Sequence, residues 1–229
     1  NCYLHKGDSK RGVDTNLIVR AEKGFDAPIA RNRRGEFSIA SGQTVYICFS
    51  SDFLIEEADS WRQECWAMMR MRPDLHFIFL TKRIERLVEC LPEDWGQGYD
   101  NVTIGCSVEN QDMADKRLPV FLRVPVRHRN IILQPLVDAV DIAPYLEGVE
   151  LVTVGGEYGP QARPLYYEWV LDVRKKCIEH DIAFIFRQAG TYFVKDGQMS
   201  KLSYAQLTTT ARACNIAHRA QRGSIKKED

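Results

Sequence analysis

Short apolar runs that end in polar or charged residues recur along this chain, and they restrict it to a narrow set of folds. They read Val45-Tyr46-Ile47-Cys48-Phe49-Ser50-Ser51-Asp52, Phe77-Ile78-Phe79-Leu80-Thr81-Lys82-Arg83 and Val102-Thr103-Ile104-Gly105-Cys106-Ser107-Val108-Glu109. Ile131-Ile132-Leu133-Gln134, Leu151-Val152-Thr153-Val154-Gly155-Gly156-Glu157 and Ile182-Ala183-Phe184-Ile185-Phe186-Arg187-Gln188 follow, and a weaker run, Leu17-Ile18-Val19-Arg20, precedes them all. A parallel strand buried on both faces is continuously apolar, and its functional residues sit where it emerges. Emergences in register predict one shared pocket at the carboxyl ends of a parallel sheet.

The segments between the runs carry helical patterns. Helices are expected over 55–71, ended by Pro73; over 83–90, closed by Pro92; over 111–123, stopped at Val124-Pro125; and over 166–180. Strands are expected over 44–50, 76–81, 102–107, 130–134, 150–155 and 182–188. Alternation of this kind indicates βα units with right-handed crossovers. Gly155-Gly156-Glu157 is not a dinucleotide GxGxxG fingerprint, so the pattern favours a barrel over a doubly wound sheet. The expected fold is an α/β, parallel (βα) partial TIM-like barrel of about six to seven strands. We read 1–229 as a single domain. It has a polar N-terminal segment over 1–43 with a hairpin near Arg33-Arg34-Gly35, a βα core over 44–190 and a C-terminal extension over 191–229. The extension holds a helix from about Ser203 and a solvated end, Gly223 to Asp229.

The 229 residues carry 31 Lys and Arg against 31 Asp and Glu, so bulk charge points to neither nucleic acid nor membrane, although a local basic rim remains compatible with it. No apolar run approaches bilayer-spanning length, and none reads as a signal peptide; the expected location is cytoplasmic. The 7 cysteines are odd in number and widely spaced, which fits reduced thiols better than a disulfide framework. His5, His76, His128, His180 and His218 show no ligand spacing, and Trp61, Trp66, Trp95 and Trp169 read as packing residues.

The candidate pocket residues sit at the strand exits. Asp52 closes the first core run, where an acid either caps the next helix or faces a ligand. Lys82 and Arg83 place positive charge at a helix start, against the dipole, which a site for an anionic group would explain. Ser107, Glu109 and Asn110 end the third run; Glu109 can cap exposed N–H groups, pair with Lys82 or Arg83, or contact a ligand. Gly155-Gly156-Glu157 with Gly159-Pro160 forms a turn whose amides can approach a ligand. Glu157 and Arg163 are able to hold the charged ends of an amino acid, or each other. Gln134 and Gln188 close two further strands. Arg123, Arg127 and Arg129 form a basic cluster of the kind that is usually a solvated surface.

With these residues in order, the chain resembles a phage- and prophage-associated family of three-cysteine-motif proteins, a domain of unknown function related to the radical S-adenosylmethionine (SAM) barrels. Phe49-Ser50-Ser51-Asp52-Phe53, Leu80-Thr81-Lys82-Arg83-Ile84-Glu85-Arg86, Gly105-Cys106-Ser107-Val108-Glu109-Asn110-Gln111 and Ala114-Asp115-Lys116-Arg117-Leu118-Pro119 carry the resemblance. So do Val154-Gly155-Gly156-Glu157-Tyr158-Gly159-Pro160-Gln161-Ala162-Arg163-Pro164 and Phe186-Arg187-Gln188-Ala189-Gly190. The resemblance implies that Asn1-Cys2-Tyr3 is the end of a Gly-Cys-x-x-Cys-Tyr segment. Cys2 is then one of three thiolates holding a [4Fe–4S] cluster, with the other two upstream of Asn1. An open iron in such a cluster takes the amino and carboxylate groups of SAM. Gly155, Gly156, Glu157 and Arg163 become cofactor-binding candidates, and Asp52, Lys82, Arg83, Ser107, Glu109, Asn110, Gln134 and Gln188 become pocket candidates. The chain departs from the pattern at Gln134, where relatives carry Glu, and at Arg187, where they carry Lys.

Two expectations follow. One is a radical-SAM-like iron–sulfur enzyme acting on an unknown substrate, with nucleic acid as a candidate source. The other is a cluster-free nucleotide- or nucleic-acid-binding barrel or partner protein, in which Lys82, Arg83, Arg163 and the Arg127–Arg129 rim meet phosphate.

Overall fold

The computed structural model describes residue 14 and residues 17–221. Cys2 and the expected solvated end from Gly223 lie outside these residues. The strands are β1 (Thr44–Ile47), β2 (His76–Thr81), β3 (Val102–Ser107), β4 (His128–Leu133), β5 (Leu151–Gly155), β6 (Leu165–Tyr166), β7 (Ala183–Gln188), β8 (Tyr192–Lys195) and β9 (Gln198–Lys201). The helices are α1 (Asp59–Met71), α2 (Leu87–Cys90), α3 (Gln111–Arg123), α4 (Tyr167–Glu179) and α5 (Tyr204–Ala213), with 3-10 turns at Glu56–Ala58, Ile84–Arg86 and Ala143–Tyr145.

A 6-stranded sheet takes the order β1-β2-β3-β4-β5-β7. The registered pairs β1/β2, β4/β5 and β5/β7 are parallel. Sheet order follows chain order without reversal. A doubly wound sheet reverses at a switch point, whereas this connectivity is that of successive βα units in a barrel. The weak run Leu17 to Arg20 forms no strand, so six strands build this sheet, not seven.

Burial follows position in the order. β3 is buried at all of its positions, Thr103 and Ser107 included, as a strand covered on both faces is. β1 and β7 end the order, and there Tyr46 and Ile185 are exposed. The first apolar run also stops early as a strand. Cys48 takes φ 54°, which breaks the extended backbone after Ile47, and Cys48 O then accepts from Ser51 N–H at 2.9 Å. Its remaining residues are a turn.

The described residues divide into two compact units, one of residues up to 105 with 123–128, the other of 106–122 with 129–221. In the first, Trp66 on α1 is fully buried and donates its indole N–H to Cys90 O at 2.9 Å. Its ring meets Phe53 at 5.1 Å, Trp95 at 5.2 Å and Phe79 of β2 at 6.1 Å. Arg72, just past α1, is 1% exposed because its guanidinium grips Asp74 at 2.8 Å and donates to Pro28 O and Ile39 O. The expected hairpin near Arg34 forms locally, with Arg31 bridged to Phe37 and Asn32 N–H bonded to Glu36 O.

In the second unit the core joins Leu118 and Phe121 of α3, Val152 and Val154 of β5, Val170 and Val173 of α4, and Phe184 and Phe186 of β7. A second, 3-stranded sheet, β6-β8-β9, was not expected from the sequence. β8 and β9 are antiparallel and turn through Asp196 (φ 52°) and Gly197 (φ 73°). An Asp-Gly pair with both φ positive is the two-residue hairpin turn that matches strand twist. The helix expected from about Ser203 forms as α5, with Gln206 Oε1 accepting from Ser203 N–H at 2.9 Å. No helix among the described residues is long and apolar enough to cross a membrane.

Truncating Trp66 leaves a large void and strands the acceptor at Cys90. Trp66→Ala should lose about 3–5 kcal/mol of unfolding free energy in urea titrations, while Val88→Ala, on an exposed face, should stay within about 0.5 kcal/mol of the parent.

Candidate functional site

The first unit gathers its polar candidates around one carboxylate. Asp52 is 8% exposed. Its Oδ1 accepts from Leu54 N–H at 3.0 Å and from the Thr81 hydroxyl at 2.8 Å. Its Oδ2 accepts from Lys82 N–H at 2.9 Å and lies 3.2 Å from Arg83 Nη1. Thr81 Oγ1 in turn accepts from Arg83 N–H at 2.9 Å. Asp52 therefore caps the turn after β1 and ties it to the end of β2. Arg83 is spent on Asp52, while the Lys82 side chain is exposed.

The second unit brings the exits of β3, β4, β5 and β7 to one rim. Arg117 on α3 donates to Ser107 O at 2.7 Å and to Glu109 Oε2 at 2.9 Å, so Glu109 pairs with Arg117. Asn110 accepts Met113 N–H at 3.0 Å and serves as the N-cap of α3. Val137 N–H donates to Glu109 O at 3.0 Å, and Leu136 N–H to Gly155 O at 2.8 Å, which stitches the turn after β4 to the ends of β3 and β5. The Gln134 side chain lies over Gly155, where a Cβ would come within 2.8 Å of it.

The double glycine has a packing cause. A Cβ on Gly156 would lie 2.6 Å from Ala189 O and 2.7 Å from Gly190 Cα. Gly190, at φ 80°, meets Gly156 Cα in return, so two backbones touch where only hydrogen fits. Gly156 N–H donates to Gln188 O at 3.0 Å, and the Gln188 amide returns a bond to Gly156 O at 2.8 Å. Gly159 N–H donates to Thr191 Oγ1 at 3.0 Å. These amides are directed inward, not at an open cradle.

Glu157 and Arg163 hold each other. Glu157 is 9% exposed, and its Oε2 accepts from Arg163 N–H and Nε, both at 2.9 Å, while Oε1 accepts from Nη2 at 3.1 Å. Burial works to raise the Glu157 pKa, but the Arg163 hydrogen bonds and charge outweigh it and leave the carboxyl below its ordinary 4.5. The Arg163 side chain is half-exposed, at 51%, so a guanidinium edge faces solvent beside a fixed carboxylate. Tyr158 and Tyr204 stand next to it as an exposed edge-to-face pair, with centroids 5.2 Å apart.

Sequence reading gave no role to Arg117, Thr81 and Thr191, which position the named candidates. Gly190, read with Gln188 as closing the last strand, proves to be the residue that meets Gly156. The described residues do not supply a metal centre: no group of three or more His, Cys, Asp and Glu side chains among them is arranged to hold an ion. Burial pushes the Cys65 and Cys177 thiols up to about 12, and raises Cys90 as well, which suits packing and opposes thiolate ligation. A cluster would thus depend on Cys2 and on residues outside those described.

Sheet and rim define a singly wound α/β protein with polar groups at the carboxyl ends of its strands. The family described as Protein of unknown function (DUF5131) matches residues 4–225, and the chain belongs to that family. No curated protein and no solved structure matches the chain significantly.

Two outcomes test the rim. Gly156→Ala should cost about 1–3 kcal/mol, read as a lower urea midpoint, because the opposing atoms are backbone. Glu157→Gln should cost about 1 kcal/mol near pH 7. With the folded pKa depressed, the carboxylate's contribution is present above the ordinary 4.5 and is lost as pH falls through the folded value. The gap in urea midpoint between parent and variant should therefore close below about pH 4.5; a gap that stays constant to pH 3 would assign the charge no part in it.

Proposed function

We propose that this protein is a phage- or prophage-associated, radical-SAM-type iron–sulfur enzyme, whose rim at the ends of β3, β4, β5 and β7 receives SAM and an unidentified substrate of nucleic-acid origin. The observation that carries this reading is the rim itself. Adjacent parallel strands present Glu109, Gln134, Glu157 with Arg163, and Gln188 at their carboxyl ends, the edge where open α/β sheets take ligands. The ordered motifs from Tyr46 to Gly190 add the family resemblance.

The described residues fit only part of the cofactor set. They bring no three cysteines together for a cluster, so Cys2 and two cysteines encoded ahead of Asn1 are the proposed ligands. A bound cluster would supply the electron that cleaves SAM reductively. The rim fits the amino-acid end of SAM better: the exposed Arg163 edge suits its carboxylate and Glu157 its ammonium. Gly155 and Gly156 support this pair by packing β5 against β7.

The cluster-free phosphate-binding alternative draws less support. Arg83 and Arg127 are each committed to an acid, Asp52 at 3.2 Å and Asp100 at 2.8 Å.

The protein with its full upstream coding sequence, purified anaerobically, should be brown, contain iron and sulfide, and release 5′-deoxyadenosine from SAM under dithionite. Cys2→Ala should lose both colour and product. Colourless, iron-free protein after anaerobic reconstitution would refute the reading, and salt-sensitive nucleic-acid binding lost in Lys82→Ala would favour the alternative.

A further inference from the structure

β7 alternates strictly: Phe184 and Phe186 are buried, Ile185 and Arg187 are exposed. It is the last strand in the sheet order, and its outer edge is tied at two points only among the described residues. Phe184 exchanges both backbone hydrogen bonds with His218, at 2.9 and 3.0 Å, and Ala189 N–H donates to Leu207 O at 3.0 Å. Between these ties the chain leaves a groove of about 550 Å³. Ile185 and Arg187 of β7 form one wall; Thr208 and Arg212 of α5, then Asn215 and Ala217, form the other.

The charge in this groove is one-sided. Two guanidinium groups line it, and no Asp or Glu does among the described residues. Two other arginines of this unit are matched by acids, Arg117 by Glu109 and Arg163 by Glu157. Arg187 and Arg212 have no ion-pair partner among the described residues. Two uncompensated cations facing one concavity, with low-dielectric walls from Ile185, Phe186 and Ala211, focus a positive potential into it. The last-turn position of Arg212 suits the α5 dipole but leaves its charge unneutralised. The volume lies within the range of small-molecule sites, and the Thr208 hydroxyl and Asn215 amide add neutral polar groups.

We propose that the groove between β7 and α5 is a nucleotide site, in which Arg187 and Arg212 take the phosphate and the apolar wall at Ile185 takes the base. It is separate from the rim and independent of the cluster chemistry proposed there. Arginine suits phosphate because its planar fork donates two parallel hydrogen bonds to two oxygens. The base stacks on aliphatic surface that water otherwise covers.

Isothermal titration of the protein with adenosine 5′-monophosphate at low salt tests this. Binding should be saturable, and adenosine and inorganic phosphate should each bind at least about tenfold more weakly, since each lacks half of the ligand. Arg212→Glu and Arg187→Glu, both at exposed positions, should each weaken binding by about tenfold or more, and Arg212→Ala by less. No heat of binding at millimolar nucleotide would overturn the proposal. So would parental affinity in both charge-reversed variants, or equal affinity for adenosine and its monophosphate.

Discussion

Two glycines in contact hold the rim together. Gly156 and Gly190 approach so closely that a Cβ on either would fall inside the other's backbone, and this lets the chain leaving β5 and the chain leaving β7 run side by side. Gln188 exploits that closeness with paired bonds to Gly156, from its own carbonyl and its side-chain amide. Thr191 N–H then reaches Glu157 O at 2.8 Å, which sets where the Glu157 side chain begins. The carboxylate's position, and through it that of Arg163, follows from a steric condition on backbone atoms.

Acids do most of the positioning elsewhere. Asp52 and Glu157 are both nearly buried, and both accept backbone N–H bonds as well as a guanidinium. Burying a carboxylate is costly unless donors meet its oxygens, and here Asp52 meets four and Glu157 three from its own neighbourhood. What such acids offer a ligand is a fixed negative field, with the partially exposed arginine as the adjustable partner. The groove at β7 is built the other way, with cations left unmatched and no acid among its described lining residues.

The regular part of the fold was legible because parallel strands advertise themselves. Ile131 to Leu133 is apolar without interruption, Val152 to Val154 and Val102 to Ile104 are broken only by a β-branched threonine, and each became a strand. Proline and capping signals set several helix ends within a residue or two, as at Met71 and Arg123. Leu17 to Arg20 failed because four apolar-biased residues do not specify a strand without a neighbour to pair with. The second sheet went unread although Asp196-Gly197 marks its turn; β8 and β9 are only four residues each, and β9 is exposed throughout, so neither carries the apolar run of a buried strand.

The sequence by itself determined the alternation of strand and helix, the polar identity of each strand exit and the spacing that places Glu157 six residues before Arg163. Those properties are local, fixed by hydrophobic period, turn residues and chain order. Tertiary structure decided which candidates are partners: that Glu109 belongs to Arg117 rather than to Lys82 or Arg83, that the double glycine faces Gly190, and that Arg187 and Arg212 share a groove. Pairings between residues far apart in the chain depend on register and crossover geometry, and a single sequence carries those only through the packing they produce.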